Sequence, residues 1–167
     1  MKNTFFLLLL TLLVGCSKSE LLLKEGDLAP DFTLLSDSGM PVSLSALKGK
    51  PVVLYFYPKN FTPGCTKEAC AFRDAFSDFQ SAGIEVFGVS VDDVESHQKF
   101  KSEHQLNFTL LSDTDKKVST SYGVLSAMGF SSRITFLIDR EGKIKRIFKD
   151  VNPEAHAAEV LAIAKTL

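Results

Sequence analysis

Long apolar runs separated by a helical pattern restrict the possible folds of this chain more than any other feature of its sequence. Residues 51–57 (PVVLYFY) and 84–91 (IEVFGVSV) are rich in apolar, β-branched and aromatic residues, as is typical of strands buried on both faces. Between them, residues 63–81 carry large apolar side chains at steps of three and four, which predicts a helix that ends near Gly83. A crossover helix between two buried strands implies that the strands pair in parallel.

The rest of the chain predicts the other parts of one α/β domain. A charged fraction of 23% and a hydrophobic fraction of 45% are those of a folded globular chain. We expect a central mixed sheet that is flanked by helices and preceded by an N-terminal β-hairpin. The remaining predicted elements are a hairpin of residues 32–35 and 41–44, a polar helix at 92–104, a buried strand at 133–139, an edge strand at 143–149 and a last helix that begins at Asn152.

The first residues predict an export signal rather than part of the domain. One Lys precedes an apolar run at residues 5–14, which is shorter than the stretch of about 20 residues that spans a bilayer. The run ends in "LVGC", which resembles the lipoprotein box of bacteria, where the cysteine becomes the lipidated first residue. We therefore predict a signal peptide at 1–15, a tether at 16–25 that is lipidated on Cys16, and a domain at 26–167. An ordinary signal peptide or an uncleaved anchor remains the alternative.

This leader predicts a lipid-anchored protein of the bacterial cell envelope that faces the periplasm. Ser17 is not the Asp that the resemblance associates with retention in the inner membrane, so an outer-membrane anchor is favoured. Once Cys16 carries lipid, two of the three cysteines are left, and a dithiol in an oxidising compartment needs a dedicated reductant. Nucleic-acid binding is not expected, because the formal net charge is −1 and no basic cluster is present.

The predicted helix at 63–81 begins with a reactive arrangement. Thr62 is a suitable N-cap, and Pro63 is well tolerated as the first helical residue because its missing N–H would be unpaired anyway. Cys65 then lies in the first turn, where free N–H groups and the positive end of the helix dipole favour a thiolate, the nucleophilic form. Pro58 and Pro63 bracket a stiff loop that would hold the sulfur at the carboxyl end of the sheet, where ligands of open α/β sheets bind.

The second thiol of this helix, Cys70, is too far from Cys65 to form a disulfide while the helix is intact. Five helical residues rise about 7.5 Å, which puts the Cα atoms about 8–9 Å apart, beyond the ~7 Å limit for an undistorted bond. The spacing also differs from the Cys-x-x-Cys pair of thioredoxin-type exchange. It suits a pair in which Cys65 reacts alone and Cys70 joins it only after the first helical turns open.

A lone activated thiolate can attack the O–O bond of a peroxide, which leaves a sulfenic acid that condenses with a nearby thiol. The reaction needs hydrogen-bond donors where charge develops on the peroxide oxygens. Thr62 and the N–H groups of the helix supply some of these donors. Arg133, a charged residue at the head of a predicted buried strand, is the best-placed candidate for stabilising the thiolate and polarising the substrate.

The other polar residues are given no assigned role. Glu68 and Arg73 could shape the local field of the site or form an ordinary helix surface, and both are left out of the predicted site. His97, His104 and His156 lie on polar helical patterns without the spacing of metal ligands, so we predict that they face solvent. We expect no metal and no cofactor.

The residues quoted so far resemble a known family. Pro58, Thr62 and Cys65 match the peroxiredoxin signature P-x-x-x-T-x-x-C, and YPKNFTPGCTKEACAFRD resembles the bacterioferritin-comigratory-protein (PrxQ) subfamily. The resemblance extends from about Gly26 to the C-terminus and includes GDLAPDFTL, NFTLLSD and RITFLIDREGKI. It implies a thioredoxin-like fold and the thiol-dependent reduction of hydrogen peroxide and organic hydroperoxides, usually with thioredoxin as reductant.

The resemblance also implies a role for each matching residue. Cys65 is the peroxidatic cysteine and Cys70 the resolving one, and the two form an intramolecular disulfide. Thr62 and Arg133 contact the peroxide and the thiolate, and Pro58 shields the sulfur.

Residues 123–132 (GVLSAMGFSS) are shorter than the corresponding segment in many relatives, although Met128 and Gly129 match a recurring Met-Gly. This segment would form one wall of the pocket, so the preferred peroxide and any dimer contact stay open, and we expect a monomer or a weak dimer.

A lipid-anchored thiol-disulfide oxidoreductase is a second interpretation of the function, disfavoured by the lack of Cys-x-x-Cys. A non-catalytic envelope binding protein on a peroxiredoxin scaffold is a third.

Overall fold

The computed structural model describes residues 23–167, so the predicted leader and its Cys16 lie outside the described residues. Seven strands and four α-helices occur in this range, together with a short 3-10 helix at Leu44–Leu47. In chain order they are β1 (Thr33–Ser36), β2 (Pro41–Ser43), β3 (Val52–Phe56), α1 (Pro63–Ser81), β4 (Glu85–Ser90), α2 (Val94–Glu103), β5 (Thr109–Ser112), α3 (Lys117–Ser121), β6 (Ile134–Ile138), β7 (Ile144–Phe148) and α4 (His156–Ala164). No helix in this part of the chain is long and apolar enough to cross a membrane.

All seven strands form one mixed sheet in the order β2-β1-β5-β4-β3-β6-β7. β3 pairs in parallel with β4, as the crossover helix α1 predicts, and β4 pairs in parallel with β5. β6 pairs antiparallel with β3 on its other side, and β7 forms the edge that its alternating sequence predicts. The N-terminal hairpin β1–β2 is also present and joins the sheet through β5.

The central strand β3 is buried on both faces, as its continuous apolar sequence predicts. Alternate residues Val53 and Tyr55 pack into the core beneath α1 and α4. Val52, Leu54 and Phe56 point to the opposite face, where they join aromatic side chains of β6 and of the segment after α3. This burial fixes the carboxyl end of β3, from which the loop to α1 and Cys65 begins.

Three local predictions were incomplete or wrong. β5 and α3 were not predicted, because elements of four and five residues are too short to show a clear period. The last helix begins at His156 rather than Asn152, because the Asn152 side chain accepts from the Glu154 N–H at 3.1 Å and forms a turn ahead of the helix. α2 begins at Val94 because the Asp93 carboxylate caps it by accepting from the Ser96 N–H at 2.8 Å.

Two histidines predicted to face solvent, His97 and His156, are buried completely. His156 packs edge-on against Phe72 and Phe148, with ring centroids 5.7 and 5.4 Å apart, and its Nε2 lies 2.8 Å from Thr135 Oγ1. Burial lowers the pKa of His156 to about 4, so its ring is neutral at physiological pH. The prediction failed because neutral imidazole packs well among aromatic rings, which a polar flanking sequence does not reveal.

Candidate active site

The start of α1 has the predicted layout but a different capping contact. Thr62 is the N-cap residue with φ −80° and ψ 145°, Pro63 opens the helix, and Cys65 lies in the first turn. The Thr62 hydroxyl does not cap the helix; it donates to the Lys59 carbonyl oxygen at 3.1 Å. Free backbone N–H groups of the first turn therefore remain available to stabilise negative charge near the sulfur. Pro58 is half-buried in the loop that leads from β3 to this helix.

Arg133 and Cys65, far apart in the sequence, are in direct contact. Cys65 is 1% exposed, and Arg133 Nη2 lies 3.2 Å from its Sγ. The sheet register explains this contact, because Ile134 of β6 pairs with Phe56 at the end of β3, next to the loop that carries the cysteine. Gly64 leaves room for the guanidinium, since a Cβ at this position would lie 3.2 Å from Arg133 Nη2. A fixed positive charge therefore lies next to the buried sulfur.

Glu68 belongs to the same cluster, although it was left out of the predicted site. Its side chain is completely buried, and its Oε2 accepts a hydrogen bond from Arg133 Nη1. Burial raises the pKa of Glu68 to about 7, with the Arg133 charge opposing that rise. One signal for this role was present in the sequence: Glu68 is one turn after Cys65 and one turn before Phe72, on the apolar stripe of α1. The carboxyl orients the guanidinium towards the thiol.

Cys70 lies on a different side of α1 and is half-buried. It lines a groove of about 520 Å³ between α1 and α4, whose other lining residues are Lys67, Ala71, Asp74, Ala75, Glu154, Ala157 and Ala158. Lys67 Nζ and Glu154 Oε1 form an ion pair of 2.6 Å at its rim. Cys65 and Cys70 are both free thiols in this structure, and the helix between them is continuous.

The segment 123–132 lies beside the loop that precedes α1. Lys59 Nζ is 5.8 Å from the centroid of the Phe130 ring, and Met128 is 82% exposed. A bridge between Leu125 and Ser131 closes the segment on itself. The segment therefore approaches the loop at Lys59, and its role as one wall of the pocket stays a prediction.

Comparison with known proteins agrees with this geometry. The sequence profile of the AhpC/TSA family matches residues 26–147. The chain belongs to the AhpC/TSA family of peroxiredoxins. A Coxiella burnetii protein provisionally named peroxiredoxin bcp is 49% identical over 146 residues, which are 83% of this chain and 97% of that protein.

Solved structures support the PrxQ/BCP subfamily and the thioredoxin-like fold. Peroxidoxin BcpB from Mycobacterium tuberculosis is 37% identical with a TM-score of 0.80, over 86% of this chain and 97% of that chain. The bacterioferritin comigratory protein of Xanthomonas campestris, whose structures address its alkyl peroxide reduction activity, is 34% identical with a TM-score of 0.77, over 81% and 90% of the two chains. This peroxiredoxin is therefore a thiol peroxidase.

Proposed function

We propose that this peroxiredoxin reduces hydrogen peroxide and organic hydroperoxides through a sulfenic acid on Cys65. The contact of 3.2 Å between Arg133 Nη2 and Cys65 Sγ carries the proposal, because it puts a permanent cation against a buried thiol. A nearby positive charge favours the thiolate, and the first-turn N–H groups of α1 act in the same direction. The same donors would stabilise the negative charge that develops on a peroxide oxygen.

The first step transfers one oxygen to sulfur. The Cys65 thiolate attacks the nearer peroxide oxygen, an S–O bond forms and the O–O bond breaks. The remaining oxygen leaves as alkoxide or hydroxide and takes a proton to become an alcohol or water. The sulfur is oxidised by two electrons and the peroxide is reduced by two. We assign Arg133 and Thr62 to the peroxide oxygens and the thiolate, and Pro58 to shielding the sulfur.

The second step forms a disulfide with Cys70. Cys70 gives up its thiol proton, and its sulfur attacks the sulfur of the Cys65 sulfenic acid. An S–S bond forms, the S–O bond breaks, and the leaving hydroxide takes up a proton to become water. The intact helix between the two cysteines supports a prior opening of its first turns, because the two sulfurs lie on different sides of α1. Oxidation would thus favour the opened state, in which the two sulfurs can meet. A dithiol of thioredoxin type then returns two electrons and two protons and restores both thiols.

Alkyl hydroperoxides are included among the proposed substrates because the Xanthomonas campestris relative is described for alkyl peroxide reduction.

We further propose that the mature protein is held at the bacterial envelope by lipid on Cys16 and faces the periplasm, with the outer membrane favoured. This part rests on the leader sequence alone. We propose a monomer or a weak dimer as the working form.

A single-turnover oxidation tests the cycle. The reduced protein, without the leader, is mixed with one equivalent of hydrogen peroxide, free thiols are blocked, and intact mass and peptide maps are recorded. The proposal predicts a loss of two hydrogens with Cys65 joined to Cys70. One added oxygen that stays on Cys65 would leave the peroxidase but remove Cys70 from the cycle. No rapid change would contradict the proposed reaction and would favour a binding role.

A further inference from the structure

Asn60 joins the loop that precedes α1 to α2 and to the segment after β4. It is 3% exposed and lies two residues before Thr62. Its backbone N–H donates to Asp92 Oδ2 at 3.0 Å, so the loop is tied to the segment after β4. Its side-chain oxygen accepts from the Tyr57 hydroxyl at 2.8 Å, and its side-chain nitrogen donates to Ser96 Oγ at 2.9 Å and contacts His97 Nδ1 at 3.2 Å.

His97 is the buried end of this set of contacts. It lies on α2, is completely buried, and packs edge-on against the Tyr57 ring with centroids 6.4 Å apart. His97 Nδ1 lies 3.2 Å from the Asn60 side-chain nitrogen and 3.3 Å from the Tyr57 hydroxyl, so it can accept from the amide N–H in the tautomer that carries its proton on Nε2. Burial lowers the pKa of His97, which favours the neutral ring with one acceptor nitrogen. In this tautomer His97 Nδ1 and Ser96 Oγ both accept from the Asn60 side-chain nitrogen and together hold the amide in one orientation.

The residue between Asn60 and Thr62 shows why the loop needs such anchoring. Phe61 has a φ of +62°, a left-handed conformation that bulky side chains rarely adopt. Its ring packs edge-on against Phe100 of α2, with centroids 5.1 Å apart, and is 41% exposed. Without the contacts of Asn60, the loop would be expected to relax away from this conformation and to move Thr62 with it.

We propose that Asn60 and His97 are positioning residues that hold Thr62 and the first turn of α1 for attack on the peroxide. Among the described residues, neither forms a hydrogen bond with Cys65 or Arg133. They act through the loop, by joining it to α2 and to the segment after β4 on the side opposite Arg133. The proposal rests on the reaction of Cys65 proposed above, and it assigns to His97 a role in rate rather than in stability alone.

Three variants of the full chain separate these roles. His97→Leu removes the acceptor, whereas His97→Asn supplies an oxygen near the position of Nδ1 and serves as the matched control. The readouts are the rate constant for oxidation of Cys65 by hydrogen peroxide, the pH profile of Cys65 alkylation by iodoacetamide, and the midpoint of thermal unfolding. A displaced reacting group reduces rates strongly, so we expect His97→Leu to slow oxidation by ~10- to 100-fold and His97→Asn to stay within ~3-fold of the native chain.

Asn60→Ala provides the third variant and an independent test if His97→Leu does not fold. It should slow oxidation to a similar degree, and the double variant should be hardly slower than either single one, because both remove the same contact. Additive losses, or equal losses in His97→Leu and His97→Asn, would overturn the proposal. So would a lower unfolding midpoint with an unchanged oxidation rate. If the native chain itself fails to oxidise at Cys65, the proposed function fails instead.

Discussion

The two thiols of this peroxiredoxin are five residues apart on one helix but lie in opposite kinds of surroundings. Cys65 is 1% exposed and contacts Arg133, which a buried Glu68 orients. Cys70 is half-buried in a groove lined largely by alanines, with an exposed ion pair at its rim. The first environment is built from segments distant in the sequence and favours reactivity. The second consists of weak surface contacts, which suits a residue that has to move.

The sharpest way to test this division is to replace each thiol by serine. Cys65→Ser should reduce peroxide consumption to the level of the buffer, because a serine hydroxyl is not ionised at neutral pH and cannot take up the oxygen. Cys70→Ser should oxidise once at a rate close to that of the native chain and then keep one added oxygen, measured by stopped-flow fluorescence and intact mass. A slow first oxidation in Cys70→Ser would show that the two environments are not separate.

Replacing Arg133 should have the next largest effect, because its guanidinium is the positive charge in contact with Cys65. Arg133→Met should slow the first oxidation by about 10²-fold, as expected when a donor aimed at developing charge is lost. Arg146→Met is the matched control, since Arg146 pairs with Glu25 at 3.5 Å on the exposed edge strand β7. Rates are measured with hydrogen peroxide in single turnover. Equal rates in the two variants would remove Arg133 from the reaction.

Glu68, which belongs to the surroundings of Cys65, should make the free energy of unfolding depend on pH. Its pKa is raised from 4.5 to about 7 in the folded protein, so its contribution to folding is complete below pH 4.5 and is lost as pH rises to about 7. The loss amounts to about 3 kcal/mol in the free energy of unfolding. Glu68→Gln should abolish this loss, which urea unfolding at pH 4.5 and pH 8 measures. Both chains carry Cys65→Ser, so that the comparison is free of thiol oxidation, and identical pH dependence would contradict the assignment.

The difference between local signals and contacts of distant segments explains which features of the site the sequence predicts. Thr62, Pro63 and Cys65 form a local signal at a helix start, and a charge such as Arg133 at the head of an apolar strand is conspicuous. The contact of Glu68 with Arg133 depends on the register of β6 against β3, which no local pattern contains. His97 was missed for a related reason: its position three residues before Phe100 places it on the buried face of α2, but its partners lie in another segment.

The smallest expected effect concerns the ion pair at the rim of the Cys70 groove. Lys67 and Glu154 join the first turns of α1 to the segment before α4, and their side chains are 60% and 68% exposed. Such a pair holds a helix weakly, so Glu154→Gln should speed disulfide formation by no more than about 5-fold, because opening becomes slightly easier. Disulfide formation is followed by quenched mass measurements after one equivalent of peroxide.

The exposed pair of Lys50 with Glu85, at 2.7 Å and away from α1, supplies the control Glu85→Gln. The first oxidation of Cys65 should be unchanged in both variants, because neither ion pair contacts the sulfur or Arg133. A slower disulfide step in Glu154→Gln would mean that the groove guides Cys70 towards its partner rather than holding it back. A change in the first oxidation would mean that contacts on the Cys70 side of α1 also set the reactivity of Cys65.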